Sequence, residues 1–218
     1  MLSLLAGCAD GWRTVERKVA DALGPTAAAP PATAAGEAAA TFDSRPLEAY
    51  MPPAAQPTFR PGDSFTFRFP SGSRQTEVVV AARGERTDWR LGSGATWTTR
   101  TSTMFNTEKW SGTASFGTGT QRFSGELGKL FPLAVGKSIR YRAASGDGAW
   151  VNEWTCSVAA QERVEVAAGA FDCYRVICSR EGQIRTFYYA PSVGMYVLRI
   201  TTGRDAGTKE LASFSRAN

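Results

Sequence analysis

The chain has 218 residues, of which 43% are hydrophobic, 21% charged and 11% aromatic, proportions that suit one globular domain with a tail. Its 22 Gly, 11 Pro and 12 Phe favour strands and turns, and it holds no histidine, which removes Ser/His/Asp and Cys/His nucleophile systems and imidazole metal ligands. The 25 Lys and Arg against 20 Asp and Glu give a net charge of +5, spread over isolated positions such as Arg60, Arg68, Arg83, Arg100 and Arg140; no nucleic-acid partner is expected, while a mild attraction to anionic membrane surfaces is compatible.

Residues 1–8 read Met1-Leu2-Ser3-Leu4-Leu5-Ala6-Gly7-Cys8, an apolar run ending in two small residues and a thiol. Small residues let an extended segment enter a peptidase cleft, and an exposed thiol can act as a nucleophile. The tetrapeptide Leu5-Ala6-Gly7-Cys8 resembles the bacterial lipobox. That resemblance implies a signal peptide cut before Cys8, a covalent lipid on the Cys8 sulfur, and membrane anchoring through N-terminal acyl chains. It also implies a bacterial cell envelope, with the chain lipid-anchored and periplasm-facing. Ala9 in the sorting position resembles an outer-membrane rather than an inner-membrane address. Only seven residues precede Cys8 and none is basic, so a start further upstream is expected.

Over 9–24 the spacing of Trp12, Val15, Val19 and Leu23 predicts a short amphipathic helix whose apolar stripe docks on a membrane surface or a partner. Gly24 and Pro25 stop it. Residues 25–57 follow as an Ala/Pro-rich linker that holds the folded part clear of the membrane, with Leu47, Tyr50 and Met51 as an alternative docking segment.

From 58 to 218 the pattern changes to alternation with turn punctuation. Strands are expected at 65–69, 77–82, 88–91, 97–103, 114–116, 139–141, 150–158, 162–166, 174–178, 183–189, 196–202 and 208–214. The glycine-rich stretch 112–128 lacks a phosphate-cradle motif and reads as a mobile loop or hairpin. About ten to twelve short strands at regular spacing are the signature of a barrel or sandwich. A weak internal echo joins 59–67 to 133–141, each a turn glycine launching an alternating strand; a duplicated half-barrel competes with chance reuse of a turn signal.

Three segments carry a family resemblance. They are 130–138, the run Glu162-Arg163-Val164-Glu165-Val166-Ala167-Ala168-Gly169-Ala170-Phe171-Asp172, and Tyr188-Tyr189-Ala190-Pro191-Ser192-Val193-Gly194. Together they resemble bacterial envelope β-proteins of the DUF3108-like group. The resemblance implies an exported all-β domain, an antiparallel curled sheet or partly open β-barrel, without a known catalytic residue. Phe187, Tyr188 and Tyr189 read as barrel core rather than a ligand platform.

With Cys8 acylated, three thiols remain. Strand alternation puts Tyr174, Val176 and Cys178 on one face and Trp154, Cys156 and Val158 on another, so Cys156 and Cys178 can meet across the sheet, while Cys156 with Cys173 is the competing pair. The W-x-C and V-x-C positions of the resembling group also suggest Cys156 with Cys178, leaving Cys173 a free thiol. No metal site is expected from three sulfurs without a fourth ligand. The carboxylates Asp88, Glu108, Glu126, Asp147 and Glu153 show no spacing that predicts two converging on one cleft, so no catalytic residue is named.

The functional expectation is a noncatalytic, membrane-anchored envelope lipoprotein serving as an accessory or structural subunit of a larger membrane protein complex. A carrier of lipid or another hydrophobic ligand inside an aromatic-rich half-barrel is the alternative. An enzyme acting on envelope polymers ranks third. No cofactor is expected beyond the lipid on Cys8.

Overall fold

The computed structural model describes residues 44–47, 49–113 and 117–217. Cys8, the expected helix with Trp12, Val15, Val19 and Leu23, and the linker up to residue 43 lie outside the described residues. The described chain forms strands β1 (Ser44–Pro46), β2 (Ser64–Arg68), β3 (Arg74–Arg83), β4 (Arg86–Leu91), β5 (Thr96–Arg100), β6 (Asn106–Thr113) and β7 (Gly117–Gly125). It continues with β8 (Ser138–Ser145), β9 (Val151–Val166), β10 (Gly169–Arg180), β11 (Gln183–Ala190), β12 (Met195–Gly203) and β13 (Gly207–Ser215).

From β2 to β13 each strand pairs antiparallel with the next in sequence, and β13 returns to β2, with Leu211 opposite Phe67 and Phe214 opposite Phe65. The result is the expected all-β barrel, an up-and-down ring of twelve strands. Strand β1 lies beside the C-terminal half of β9 as an extra member. Alternation sets the two faces. Phe65 and Phe67 on β2 and Ile139, Tyr141 and Ala143 on β8 are buried, whereas Arg68, Ser138, Arg140 and Arg142 point out. With Arg86 and Arg90 also exposed on β4, the outer wall carries charge on three separate strands.

Three local expectations need correction. The strand expected over 97–103 ends at Arg100, and Thr101–Thr103 forms a 3-10 turn. Met104 and Phe105 then take positive φ, 51° and 60°, and the chain turns both side chains into the interior. Strand β6 was not anticipated; it pairs with β7, Lys109 opposite Thr120, so that of the two expectations for 112–128 the hairpin holds, while the strand expected at 114–116 lies outside the described residues. The two strands expected at 150–158 and 162–166 are one, β9, interrupted by a bulge opposite Arg175 and Val176. A bulge lets a strand continue while exchanging its faces. Beyond it, Val164 pairs with Phe171 on the outward side, yet stays buried because the hairpin end leans on β13, where Ala168 N donates to Leu211 O at 3.0 Å.

The internal echo is a repeated arrangement. Gly62 N donates to Val79 O and Gly136 N to Val158 O, both at 2.9 Å, and Val79 N and Val158 N return bonds to Asp63 O and Lys137 O, both at 2.8 Å. Strands β2 and β8 each open a run of six strands through a turn bonded in the same way.

In a meander the connections alternate between the two ends of the barrel. One end is plugged by Phe59, Phe105, Leu130, Phe131 and Leu133, all buried, together with residues 51–57. Ala54 bridges to Leu133, Gln161 bonds both the N–H and the carbonyl of Met51, and the Tyr174 hydroxyl donates to Pro52 O at 2.7 Å. By composition these residues belong to the linker, yet the backbone groups of Met51, Pro52 and Ala54 are bonded to the barrel.

Candidate functional site

At the end opposite the plug the strands join through tight turns, and a cavity of about 460 Å³ opens inside the barrel. Its apolar lining is Trp89, Trp97, Trp110, Phe105, Met195 and Tyr196. Strand alternation on β4 and β5 sends Trp89 and Trp97 to the same cross-strand position, where their rings stack at 6.5 Å. Trp89 Nε1 donates to Thr99 Oγ1 at 2.8 Å, and Phe59 and Phe65 pack edge-on against its ring at 5.2 and 5.9 Å. Phe105 reaches in from the plugged end and meets Tyr196 at 5.7 Å, so it forms the floor. These rings are held by one another and by a buried hydrogen bond, which makes the cavity wall preformed.

Charged side chains share this lumen. Lys209 and Glu77, both buried, form an ion pair, with Gln75 Nε2 donating to Glu77 Oε1 at 3.1 Å and the Lys209 ammonium 4.1 Å from the Phe67 ring centre. Arg185 donates to Asn106 Oδ1 at 2.8 Å, and Asn106 Nδ2 donates to the Tyr141 hydroxyl at 2.9 Å. The Arg185 guanidinium lies 5.0 Å from the Trp154 ring centre. Burial, and then the neighbouring charge of Arg199, lower the Arg185 pKa to about 10. Arg199 lies 5.9 Å from the Tyr196 ring, and its buried Nε meets no hydrogen-bond acceptor.

The carboxylates weighed as an acid/base pair sit outside the lumen. Asp88 and Glu108 share a groove on the outer wall, where Asp88 accepts from Thr98 at 2.6 Å and Glu108 accepts from Arg86 at 2.6 and 2.9 Å. The Arg86 hydrogen bond holds Glu108 below the usual carboxylate range, the reverse of what a general acid needs. Glu126 accepts from Arg140 N, Asp147 caps its own turn at Ala149 N, and Glu153 pairs with Arg142.

Cys156 and Cys178 are register partners on β9 and β10 and form a disulfide, S–S 2.03 Å. Cys173 is free and buried, and burial pushes its thiol pKa up, away from a reactive thiolate. Phe187 and Tyr189 point inward, against Tyr196 at 5.6 Å and Phe131 at 5.7 Å, while Tyr188 is buried on the outward side opposite Leu198. Sequence reasoning did not find the lumen charges Glu77, Arg185, Arg199 and Lys209. One signal was present: Arg185 has the same parity as Phe187 and Tyr189 on β11, a charge on an otherwise aromatic face.

No family model and no curated protein matches this chain. Among solved structures it is similar to the hypothetical lipoprotein YmcC from Escherichia coli, at 14% identity and a TM-score of 0.46, covering 73% of this chain and 86% of that one. It is also similar to a Bacteroides fragilis protein described as exported and YmcC-like in fold, at 13% identity and a TM-score of 0.38, over 75% of this chain and all of that one. A Parabacteroides distasonis protein described as a lipoprotein matches at 9% identity and a TM-score of 0.39, over 76% of this chain and all of that one.

Proposed function

We propose that this chain is a noncatalytic envelope protein, tethered to a membrane through Cys8, that binds a hydrophobic ligand in the open end of its barrel. The observation that carries the reading is the cavity of about 460 Å³, walled by three tryptophans, Phe105 and Tyr196. Preformed concave sites of a few hundred Å³ with aromatic walls and a few polar groups are the usual form of small-molecule sites. The Cys156–Cys178 disulfide supports an oxidising compartment, and Leu5-Ala6-Gly7-Cys8 supports acylation and a periplasm-facing location, with Ala9 favouring the outer membrane.

One observation favours a second reading, an accessory subunit of a membrane assembly. A groove of about 760 Å³ lies at the plugged end, beside residues 51–58. Native mass spectrometry of the protein gently extracted from its own membranes separates the two. A monomer carrying a noncovalent hydrophobic molecule is the expected result. A stoichiometric protein partner without such a ligand would move the assignment to the subunit, and an unacylated Cys8 would remove the anchor.

A further inference from the structure

Inside a barrel, a charge partly shielded from water is costly unless a counter-charge or hydrogen-bond partners compensate it. Lys209 meets this condition through Glu77. Arg185 and Arg199 do not. Among the described residues neither guanidinium has a carboxylate within ion-pair distance. Arg185 gives an Nη to the neutral amide of Asn106, and the buried Nε of Arg199 gives to nothing. Arg199 acts unfavourably on the Arg185 charge and Arg180 adds to it, while Tyr141 and, more weakly, Asp205 at the rim oppose them. Both side chains line the aromatic cavity rather than the outer wall.

We propose that the lumen ligand is an anionic amphiphile, whose carboxylate or phosphate group sits between Arg185 and Arg199 while its apolar body lies on Trp89, Trp97 and Tyr196. The inference rests on the ligand-binding reading and gives that ligand its charge. Planar guanidinium groups suit both oxyanions, which accept paired N–H donors. An anion at this point supplies the missing acceptor for Arg199 and the missing counter-charge for both arginines. The aromatic wall takes the tail, so neither half of the cavity is left uncompensated.

The cavity tryptophans provide the readout. Tryptophan fluorescence of the full-length protein is titrated with dodecanoate, dodecyl phosphate, dodecanol, acetate and inorganic phosphate, each below any micelle-forming concentration. Dodecanoate or dodecyl phosphate is expected to bind at least about tenfold more tightly than dodecanol, with acetate and phosphate far weaker. Arg199→Gln is expected to erase most of the advantage of the anions over dodecanol, read as the ratio of the two affinities. Arg199 makes no hydrogen bond through Nε, so the variant should keep its fold; a thermal scan checks this, and the wild-type comparison of charged with neutral ligand stands without it. Equal binding of dodecanoate, dodecyl phosphate and dodecanol would overturn the anionic assignment and leave the ligand-binding function intact. Acetate or phosphate binding as tightly as the amphiphiles would overturn the amphiphile. Binding of none of the five would overturn both readings.

Discussion

Glu77 and Lys209 face each other inside a ring of aromatic side chains, and neither can be removed alone without stranding the other. Glu77→Gln is expected to lower unfolding free energy by about 3 kcal/mol, whereas Glu77→Met with Lys209→Met should be close to neutral. Urea denaturation with an unchanged m-value checks the pair. The Cys156–Cys178 bridge closes a loop with a sequence separation of 22, and replacing both by alanine should cost about 3 kcal/mol through the unfolded chain. Glu108 shows the sign of the acid response. Its folded pKa is depressed by Arg86, so its contribution is complete above the usual carboxylate range and is lost as pH falls through the lowered value. Glu108→Gln should therefore flatten the acid limb of a stability-versus-pH curve, modestly, because the pair is exposed.

Among elements, the two strand-launching turns are the most informative. Gly62 and Gly136 sit at φ of 95° and 89°, conformations that a side chain resists. Space around Gly136 is open, so Gly136→Ala meets only backbone strain and should cost about 1–2 kcal/mol; Gly62→Ala should cost a similar amount. A large disparity in thermal melts would argue against equivalent roles for the two turns. The segment 51–57 is tied to the barrel by backbone groups rather than by apolar burial alone. Tyr174→Phe removes the hydroxyl that donates to Pro52 O and should cost about 1 kcal/mol, read as a lower denaturation midpoint.

At the scale of the whole molecule, the ring of pairings creates an inside, and the inside creates the site. Alternation in 65–69 and 139–141 was enough to assign strands, because a period of two is a property of consecutive residues, while 183–189 and 196–202 were assigned by their β-branched and aromatic content between turn signals. Parity put Cys156 within reach of Cys178 while leaving Cys173 as a competitor, and the register of β9 with β10 decides for Cys178. Strand β6 escaped because Asn106-Thr107-Glu108-Lys109 has no apolar alternation; it is held by neighbours on both sides rather than by its own pattern. The turn at Met104 and Phe105 was also illegible, since a non-glycine residue takes positive φ only when tertiary packing makes the conformation worthwhile.

For the candidate site, the sequence by itself determined a run of aromatic-rich antiparallel strands without histidine chemistry, with barrel and sandwich both open and Cys156 within reach of Cys178 or Cys173. The tertiary structure alone decided which end is plugged and which charges point inward. Bulges at β9, β12 and β13 shift the faces by one residue, so parity counted along the chain loses its meaning beyond each of them. The β12 bulge sets Arg199 on the same face as Tyr196, the register of Phe187 with Arg199 and of Arg199 with Lys209 puts both cations on the inner face with Arg185, and closure of β13 onto β2 brings Lys209 to Glu77, a contact between residues far apart in sequence.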